Sequence, residues 1–341
     1  MRPEAIAYLC CPTCRGDLEL DGTPEALGQI DRGALRCLAC RVDYPIDRGV
    51  PDFVGGAGEA RVEQTTKGFA RNWEAFNKTI LAEPALNDEL LRDWLYPLPL
   101  ERFAGQVVCE PGCGMGRWLH VAHAYGPEAL IGLDYSAVVH TAYANTRHLP
   151  HVHIVRGDIL RMPLRPCIDL AYCIGVLHHL QDPGTAFSAL TRVLAPDGLL
   201  TVWVYDQENN AWLTSVVTPL REKITSRLPH PILAGLSKVL TAQLFVAAAL
   251  QSHLGARGDV FYADYLAYVR RYPFRYMEHI VYDHLVPSIA HYIPRSELEA
   301  WTQREGLAAL VLARNNNSWR LHAARRPELL PALDDEVGSA G

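Results

Sequence analysis

The chain has 341 residues, of which 49% are hydrophobic and 21% charged, and it carries a formal net charge of −6 at pH 7. This length and composition predict one sizeable α/β core with a small accessory unit. The negative charge gives no overall attraction to a phosphate backbone and no local basic patch stands out, so RNA is not the expected partner. The N-terminal segment MRPEAIAYLC lacks the basic and apolar regions of a secretory signal, so we expect a cytoplasmic protein.

Two Cys-x-x-Cys pairs near the N-terminus predict a structural zinc site. They are separated by roughly twenty residues, which is the spacing of a four-thiolate zinc ribbon, and their members are Cys11, Cys14, Cys37 and Cys40. Four thiolates would fill the coordination sphere and leave no place for a water molecule. Cys10 is left out because its spacing to Cys14 does not match the other pair and because Pro12 favours a turn after Cys11. Disulfides are the alternative interpretation, which a cytoplasmic chain disfavours.

The segment around these cysteines reads AYLCCPTCRGDLEL and then ALRCLACRVDYPIDRGVPDFV. It resembles a short zinc-ribbon family whose free-standing members activate tRNA and protein methyltransferases, and which also occurs fused in front of bacterial methyltransferases. The resemblance covers about residues 1–55 and implies a stabilising or partner-binding role for the ribbon. A protein partner on this ribbon is therefore an open expectation.

A glycine-rich joint at residues 55–58 separates the ribbon from a predicted helical cap or linker over residues 56–105. Helical spacing places Phe69, Trp73 and Phe76 on one face. An amphipathic helix that packs on the core and a helix that caps a bound cofactor are both compatible with this pattern.

From residue 106 to 205, strands and helices alternate at short spacing and predict a parallel, doubly wound sheet. The strand QVVCE leads into the loop PGCGMG, and a helix starts at Arg117. Glycines let the backbone approach a ligand closely, and the helix start offers unpaired N–H groups. Gly116 follows Gly114 by two positions instead of the three of the dinucleotide fingerprint. Glu110, just before the loop, would repel a pyrophosphate but attract an ammonium group, such as that of S-adenosylmethionine.

Two further acids end the next strands of the predicted sheet. Asp134 ends ALIGLD, where it can accept both hydroxyls of a ribose, and Asp158 ends VHIVRGD. The segment IDLAYCIGVLHHLQDP, a helix and the strand LLTVWVY follow. There are two alternatives to S-adenosylmethionine binding. One is dinucleotide binding, and the other is an α/β core in which these acids have no binding role.

This order of parts resembles the class I S-adenosylmethionine-dependent methyltransferases, in particular the ubiquinone-biosynthesis-like small-molecule branch. The resemblance implies that the glycine loop holds the methionine moiety, Asp134 the ribose and Asp158 the adenine. The predicted cofactor-binding set is Glu110, Gly112, Cys113, Gly114, Gly116, Asp134, Tyr135, Asp158, Ile159 and Ile174.

The loop after the fourth strand carries His178 and His179 in place of the Asn/Asp-Pro-Pro-aromatic motif of base-modifying amino-methyltransferases, so DNA is not an expected substrate. A neutral imidazole here could take a proton from the acceptor. Because this histidine pair resembles one that recurs in the family regardless of substrate, a structural hydrogen-bonding role is the alternative.

Residues 206–290 are predicted to form a mainly helical lid over the substrate. ILAGLSKVLTAQLFVAAAL within it is strongly apolar, but interruptions by Ser237, Lys238, Thr241 and Gln243 favour a buried lid helix or a homodimer contact over a membrane span.

The later part of the lid supplies further candidates. By resemblance to related chains, Tyr282, Asp283 and His284 line the acceptor pocket, and His284 paired with Asp283 is an alternative base. Packing of an aromatic helix pair is the other interpretation. Arg270, Arg271 and Arg275 could hold a substrate anion, or could simply be solvated.

The last helix and strands of the core are expected in residues 291–326, and residues 327–341 are expected to be disordered. The whole chain is thus predicted to be an α/β protein with a Rossmann-like, seven-stranded methyltransferase sheet, an N-terminal zinc ribbon and a helical lid. The expected activity is methyl transfer from S-adenosylmethionine to O, C or N of a small, hydrophobic metabolite. An RNA methyltransferase and a non-catalytic binding module are the alternatives.

Overall fold

The computed structural model describes residues 1–55, 60–208, 210, 214–215, 218–225, 228–254, 269–287, 289–314 and 317–333. Its strands are β1 (Leu18–Asp21), β2 (Arg32–Cys37), β3 (Asp43–Asp47), β4 (Val50–Pro51), β5 (Val107–Pro111), β6 (Ala129–Asp134), β7 (Val152–Arg156), β8 (Ile168–Ile174), β9 (Leu194–Tyr205), β10 (Ala308–Arg314) and β11 (Ser318–Ala324). Its α-helices are α1 (Ala60–Leu81), α2 (Pro84–Leu95), α3 (Arg117–Ala122), α4 (Val139–Thr146), α5 (Pro183–Thr191), α6 (Thr218–Lys223), α7 (His230–Leu254), α8 (Phe274–Leu285) and α9 (Arg295–Arg304). Most of the tail that was expected to be disordered, residues 334–341, lies outside the described residues, as does the segment 255–268 of the lid.

The central sheet has seven strands in the order β10-β11-β9-β8-β5-β6-β7, which confirms the predicted fold class. Strands β5 to β9 pair in parallel, whereas β11 runs antiparallel to both β9 and β10. Every residue of β5 is buried, because helices cover both faces of the sheet. After β5 the chain adds β6 and β7 on one side of β5, and then returns to place β8 on the other side of β5. The carboxyl ends of β5 and β8 therefore flank the switch point, where sheets of this type bind their ligands.

The N-terminal ribbon forms a separate antiparallel sheet, β1-β2-β3-β4, and lies against the edge strand β7. The Phe53 N–H donates to the Arg156 carbonyl at 2.9 Å, and the Arg156 guanidinium pairs with Asp52 at 2.7 Å. Leu9 of the ribbon and Leu164 of the loop after β7 belong to one apolar core. The ribbon thereby covers a sheet edge that would otherwise expose unpaired backbone groups.

The described part of residues 206–290, the segment predicted to form a lid, is mainly helical: α7 packs on α8, and α8 packs on α1. The stretch His230–Leu250 of α7 is long and apolar enough to cross a membrane by length and composition alone, with a mean hydropathy of 1.7. Its Ser237 and Thr241 side chains are buried and donate to the carbonyls of Ala234 and Ser237 at 2.9 and 2.7 Å. Its other side is open, since Ile232, Val239, Val246 and Leu250 are exposed.

Candidate functional site

A tight glycine loop joins β5 to α3 at the switch point. Gly112, Gly114 and Gly116 have φ values of +80°, +52° and +82°, a region that favours glycine. A Cβ atom on Gly112 would lie 2.3 Å from Val176 Cγ2, so the loop touches the segment after β8. The N–H groups of Gly112 and Cys113 both donate to the Leu133 carbonyl, at 2.6 and 3.1 Å. The loop is thereby held against the end of β6.

Replacing Gly112 by alanine is expected to distort this loop, because the added methyl group meets Val176 and the backbone has a positive φ. We expect a stability loss of about 1–3 kcal/mol and at least tenfold weaker binding of S-adenosylhomocysteine by calorimetry. Gly126→Ala is the matched control, since Gly126 has a φ of +68° but nothing within 4 Å of its added Cβ. If Gly112→Ala and Gly126→Ala lose equal affinity for S-adenosylhomocysteine, the close packing of the loop on Val176 does not matter for binding.

Three carboxyl groups lie at this edge of the sheet, at or just after the ends of β5, β6 and β7. Asp134 Oδ2 accepts the Gly114 N–H at 3.0 Å, and its Oδ1 accepts the N–H and hydroxyl of Ser136, each at 2.8 Å. Burial raises the pKa of Asp134, and the bonds from Ser136 oppose that rise. Glu110 is 3% exposed, Tyr172 donates to it at 3.2 Å, and burial raises its pKa well above the ordinary value. Asp158 is partly exposed and accepts the Leu160 N–H at 2.9 Å.

The remaining predicted cofactor residues lie at the same edge of the sheet. Cys113, Ile159 and Ile174 are buried, whereas Tyr135 is partly exposed and its carbonyl accepts Arg156 Nε at 3.1 Å. Gly116 immediately precedes helix α3. The predicted set thus comes together at the carboxyl ends of β5, β6 and β8 and on the loops that follow β5, β6 and β7.

Helix α1 crosses above this edge with the aromatic face that the sequence indicates. Trp73 Nε1 lies 3.4 Å from the position that a Cβ on Gly114 would take. The Phe69 ring is 5.0 Å from that of His179, and the Phe76 ring is 5.6 Å from that of His279. One helix therefore spans from the histidine loop to the glycine loop.

The two histidines after β8 differ in their surroundings. His178 is 0% exposed, and neither of its ring nitrogens has a partner among the described residues. His179 Nδ1 lies 2.8 Å from the Ile289 carbonyl. Burial lowers the pKa of His178 well below its ordinary value and that of His179 to about 3. Both imidazoles are therefore neutral at pH 7.

The three other catalytic candidates, Tyr282, Asp283 and His284, lie on helix α8. Their side chains point in different directions, since successive helix residues are about 100° apart. Asp283 accepts from Asn72 of α1 and lies 3.5 Å from His279 Nε2, so its imidazole partner is His279 and not His284. Burial raises the pKa of Asp283 to about 7. The His284 ring stacks 6.1 Å from that of Tyr205, which itself is 4.0 Å from His178. The Tyr282 hydroxyl contacts His230 Nδ1 at the start of α7, away from that cluster.

Two of the three arginines named as candidate anion-binding residues are paired with carboxylates. Arg271 forms an ion pair with Glu89, and Arg275 forms one with Glu278 at 2.8 Å, while Arg270 is exposed. Sequence reasoning missed Asn72, His279 and a buried arginine, Arg221, which no local motif marks. Only the packing of distant helices brings them to the site.

The ribbon cysteines form a second candidate site, well suited to zinc. The Sγ atoms of Cys11, Cys14, Cys37 and Cys40 all lie within 4.8 Å of one another. The separations are 3.6 Å for Cys11–Cys40, 3.4 Å for Cys14–Cys37 and 3.8 Å for Cys14–Cys40. A tetrahedral ion with Zn–S bonds of about 2.3 Å has edges of about 3.8 Å, so the four thiols fit it. Cys10 lies outside the cluster, and its N–H donates to the Pro163 carbonyl at 3.0 Å.

Two family models match this chain. Residues 109–202 match the family described as Methyltransferase domain, and residues 6–49 match the family described as Trm112p-like protein. The first match contains the glycine loop, the strand-end acids and both histidines, and the second contains the cysteine cluster.

Individual proteins are similar over part of the chain. The tRNA U34 carboxymethyltransferase of Sulfurovum sp. is 32% identical over 120 residues, which cover 32% of this chain and 38% of that protein. The trans-aconitate 2-methyltransferase of Yersinia pseudotuberculosis is 34% identical over 102 residues, which cover 30% of this chain and 39% of that protein. The chain thus spans less than two fifths of the length of these curated relatives. The crystal structure of human N-acetylserotonin methyltransferase with S-adenosylmethionine aligns with a TM-score of 0.47 and 13% identity, covering 80% of this chain and 60% of that one.

Proposed function

We propose that this chain, which joins a Trm112p-like ribbon over residues 6–49 to a methyltransferase domain over residues 109–202, is an S-adenosylmethionine-dependent methyltransferase. The acceptor is a small molecule with an apolar or aromatic part, and the methyl group goes to its oxygen, nitrogen or carbon. The structural zinc holds the ribbon together and takes no part in the transfer.

The observation that carries this proposal is the position of Asp134 beside the glycine loop. Its carboxylate, at the tip of β6, accepts the Gly114 N–H, so the acid and the loop are held as one unit. A carboxylate at this point of a parallel sheet can accept both hydroxyls of a ribose. Asp158, one strand farther along, is within the same edge and is assigned to the adenine.

Glu110 suits the methionine end of the ligand. Its carboxyl group is buried behind the glycine loop, where burial raises its pKa, so it is costly to ionise without a cation nearby. A ligand ammonium group would favour the ionised form. A pyrophosphate at the same place would disfavour the ionised form and supply no cation for it, so a ligand with an ammonium group fits this carboxyl group better than a dinucleotide does.

His179 is the better placed of the two candidate bases. A carbonyl can only accept, so His179 Nδ1–H donates to Ile289 and leaves Nε2 with a lone pair. When bound, S-adenosylmethionine would supply an activated methyl carbon. His179 Nε2 would take the proton that an O–H or N–H acceptor releases on methylation. Its low pKa makes it a weak base, suited to a proton that becomes strongly acidic only during attack.

The helices α1 and α8 above the carboxyl ends of the strands favour a small acceptor over RNA. Trp73 of α1 lies over Gly114, and α8 packs against α1, so helices cover the glycine-loop end of this edge. The net charge of −6 also gives no attraction for a polynucleotide. One relative is named a tRNA enzyme and another a trans-aconitate enzyme, so experiment must decide between the classes.

The test is formation of S-adenosylhomocysteine by the full chain with a panel of phenols, carboxylic acids and amines, and with bulk tRNA and rRNA. For the acceptor that turns over, we expect His179→Gln to lower kcat by about 10²–10⁴-fold, with S-adenosylhomocysteine affinity within a factor of two. His151→Asn, at an exposed turn, is the matched control and should keep full kcat.

Tight nucleoside binding without turnover on any acceptor would favour a non-catalytic module. Salt-sensitive turnover confined to RNA would replace the small-molecule proposal by the RNA one. An unchanged kcat in His179→Gln would remove the base assignment alone.

A further inference from the structure

Arg221 on helix α6 is buried, and no carboxylate among the described residues serves as its countercharge. It is 3% exposed, and neither its Nε nor its Nη2 has a hydrogen-bond partner among the described residues. The same part of the chain places no carboxylate within ion-pairing distance of it. Burying an unpaired guanidinium is costly, so buried arginines normally pair with an acid or bind an anion.

The two unpartnered nitrogens belong to one edge of the guanidinium. Nε–H and Nη2–H point the same way and form a fork that matches two oxygens of a carboxylate or a phosphate. This edge of the guanidinium can therefore form a bidentate contact with a carboxylate or a phosphate. Arg275 shows the contrast, since Glu278 already accepts from its guanidinium at 2.8 Å.

Helix α6 lies beside the end of α8 that carries His284. Thr225, just after α6, donates from its hydroxyl to the Leu285 carbonyl at the end of α8, at 3.0 Å. Although burial is the main cause of their low pKa values, the charge of Arg221 also lowers those of His178, His179 and His284. His284 is next to Leu285, and its ring lies 6.1 Å from that of Tyr205, so the end of α6 lies on the side of α8 that leads to the histidine pair.

Two neutral polar groups on this side of the molecule also have no partner among the described residues. Both ring nitrogens of the fully buried His178 are unpaired among the described residues, as is the buried Thr218 Oγ1. Thr218 precedes Arg221 by three residues, so both side chains share one face of α6. Groups of this kind are satisfied when a bound molecule supplies the complementary atoms.

We infer that Arg221 binds an oxyanion of the acceptor, with His178 and Thr218 as neutral hydrogen-bond partners, so that the substrate class is anionic. The inference rests on the proposed methyl transfer, because it places this anion beside the candidate base His179. Rings at this point suit a planar body for the acceptor, since Tyr205 lies 4.0 Å from His178 and Phe69 lies 5.0 Å from His179.

The test is calorimetric titration of the full chain, saturated with S-adenosylhomocysteine, with sodium benzoate, phenyl phosphate and the neutral isostere benzamide. We expect at least one anion to bind about tenfold or more tightly than benzamide, because charged bidentate hydrogen bonds are lost in the amide. Whichever anion binds better identifies the oxyanion as a carboxylate or a phosphate. Arg221→Gln should abolish the preference and leave S-adenosylhomocysteine affinity within a factor of two.

Arg275→Gln is the matched control and should keep the preference, because Arg275 is paired with Glu278. If Arg221→Gln does not fold, Arg221→Lys replaces it and should reduce the preference without removing it. Equal binding of benzamide and the anions, no anion binding at millimolar concentration, or an undiminished preference in the Arg221 variants would overturn the inference. Failure of the wild type to bind S-adenosylhomocysteine would instead refute the proposed function.

Discussion

Replacing Asp134 by alanine is expected to reduce the affinity for S-adenosylhomocysteine by about 100-fold or more, because two hydrogen bonds from ribose hydroxyls to a charged group are lost. The same change removes the acceptor of the Gly114 N–H and of Ser136, so the glycine loop loses its tie to β6. Calorimetry on the purified variant measures the affinity, and circular dichroism with thermal melting checks that the fold persists.

The matched control for Asp134→Ala is Asp169→Ala. Asp169 also accepts a backbone N–H of the β5 segment, that of Val107 at 2.9 Å, but it lies at the opposite end of that strand. It should show a similar small stability change with unaltered affinity. If Asp134→Ala binds as tightly as the wild type, the ribose assignment is wrong. If both variants lose affinity equally, the effect belongs to the sheet and not to the site.

Much of the core could be predicted because local signals determine it. The run QVVCE, the glycine loop and the acids at Glu110, Asp134 and Asp158 follow from spacing along the chain, and parallel pairing brings strand ends to one edge. The observed seven-stranded order agrees with this expectation. The cysteine cluster was equally accessible, since two short turns fix both pairs, and the structure brings together Cys11 rather than Cys10 with the others.

The polar contacts between lid and cap could not be predicted, because no local rule joins them. Asn72 meets His279 across 207 positions of sequence, at 2.9 Å. The expected pairing of Asp283 with His284 assumed that adjacent residues have adjacent side chains. On a helix, however, successive side chains point about 100° apart. Arg221 carries no motif, and its significance arises from the absence of an acid around it among the described residues. The boundaries assigned to the cap, lid and last core segment, near residues 55, 105, 205 and 290, stay predictions.

The ribbon and the candidate cofactor site share one strand. Arg156, at the end of β7, pairs with Asp52 of the ribbon, and Asp158 follows two residues later. Arg15, next to the first cysteine pair, donates to the Met162 carbonyl at 2.8 Å in the loop beyond Asp158. A folded ribbon therefore steadies the segment that we assign to adenine binding.

The double variant Cys37→Ser/Cys40→Ser is expected to lose its zinc and, with it, the folded ribbon. Structural zinc binds with roughly 10–16 kcal/mol in small zinc peptides, and a segment of about fifty residues has too little core to fold reliably without it. Loss of the ribbon uncovers the β7 edge, so we expect a melting temperature lower by several degrees, at roughly 2 °C per kcal/mol for a domain of this size. Elemental analysis should find one zinc per wild-type chain and none in the variant.

Cys10→Ala separates this effect from the loss of a buried cysteine side chain. Cys10 is as buried as its neighbour Cys11, but its sulfur is not part of the cluster, so the variant should keep one zinc and lose only a little stability. The segment around Asp158, which we assign to adenine binding, is held by contacts with the ribbon. The zinc-free variant should therefore also bind S-adenosylhomocysteine more weakly, while Cys10→Ala should not. A zinc-free variant with an unchanged melting temperature would mean that the ribbon folds without metal, and the four thiols would then need another explanation.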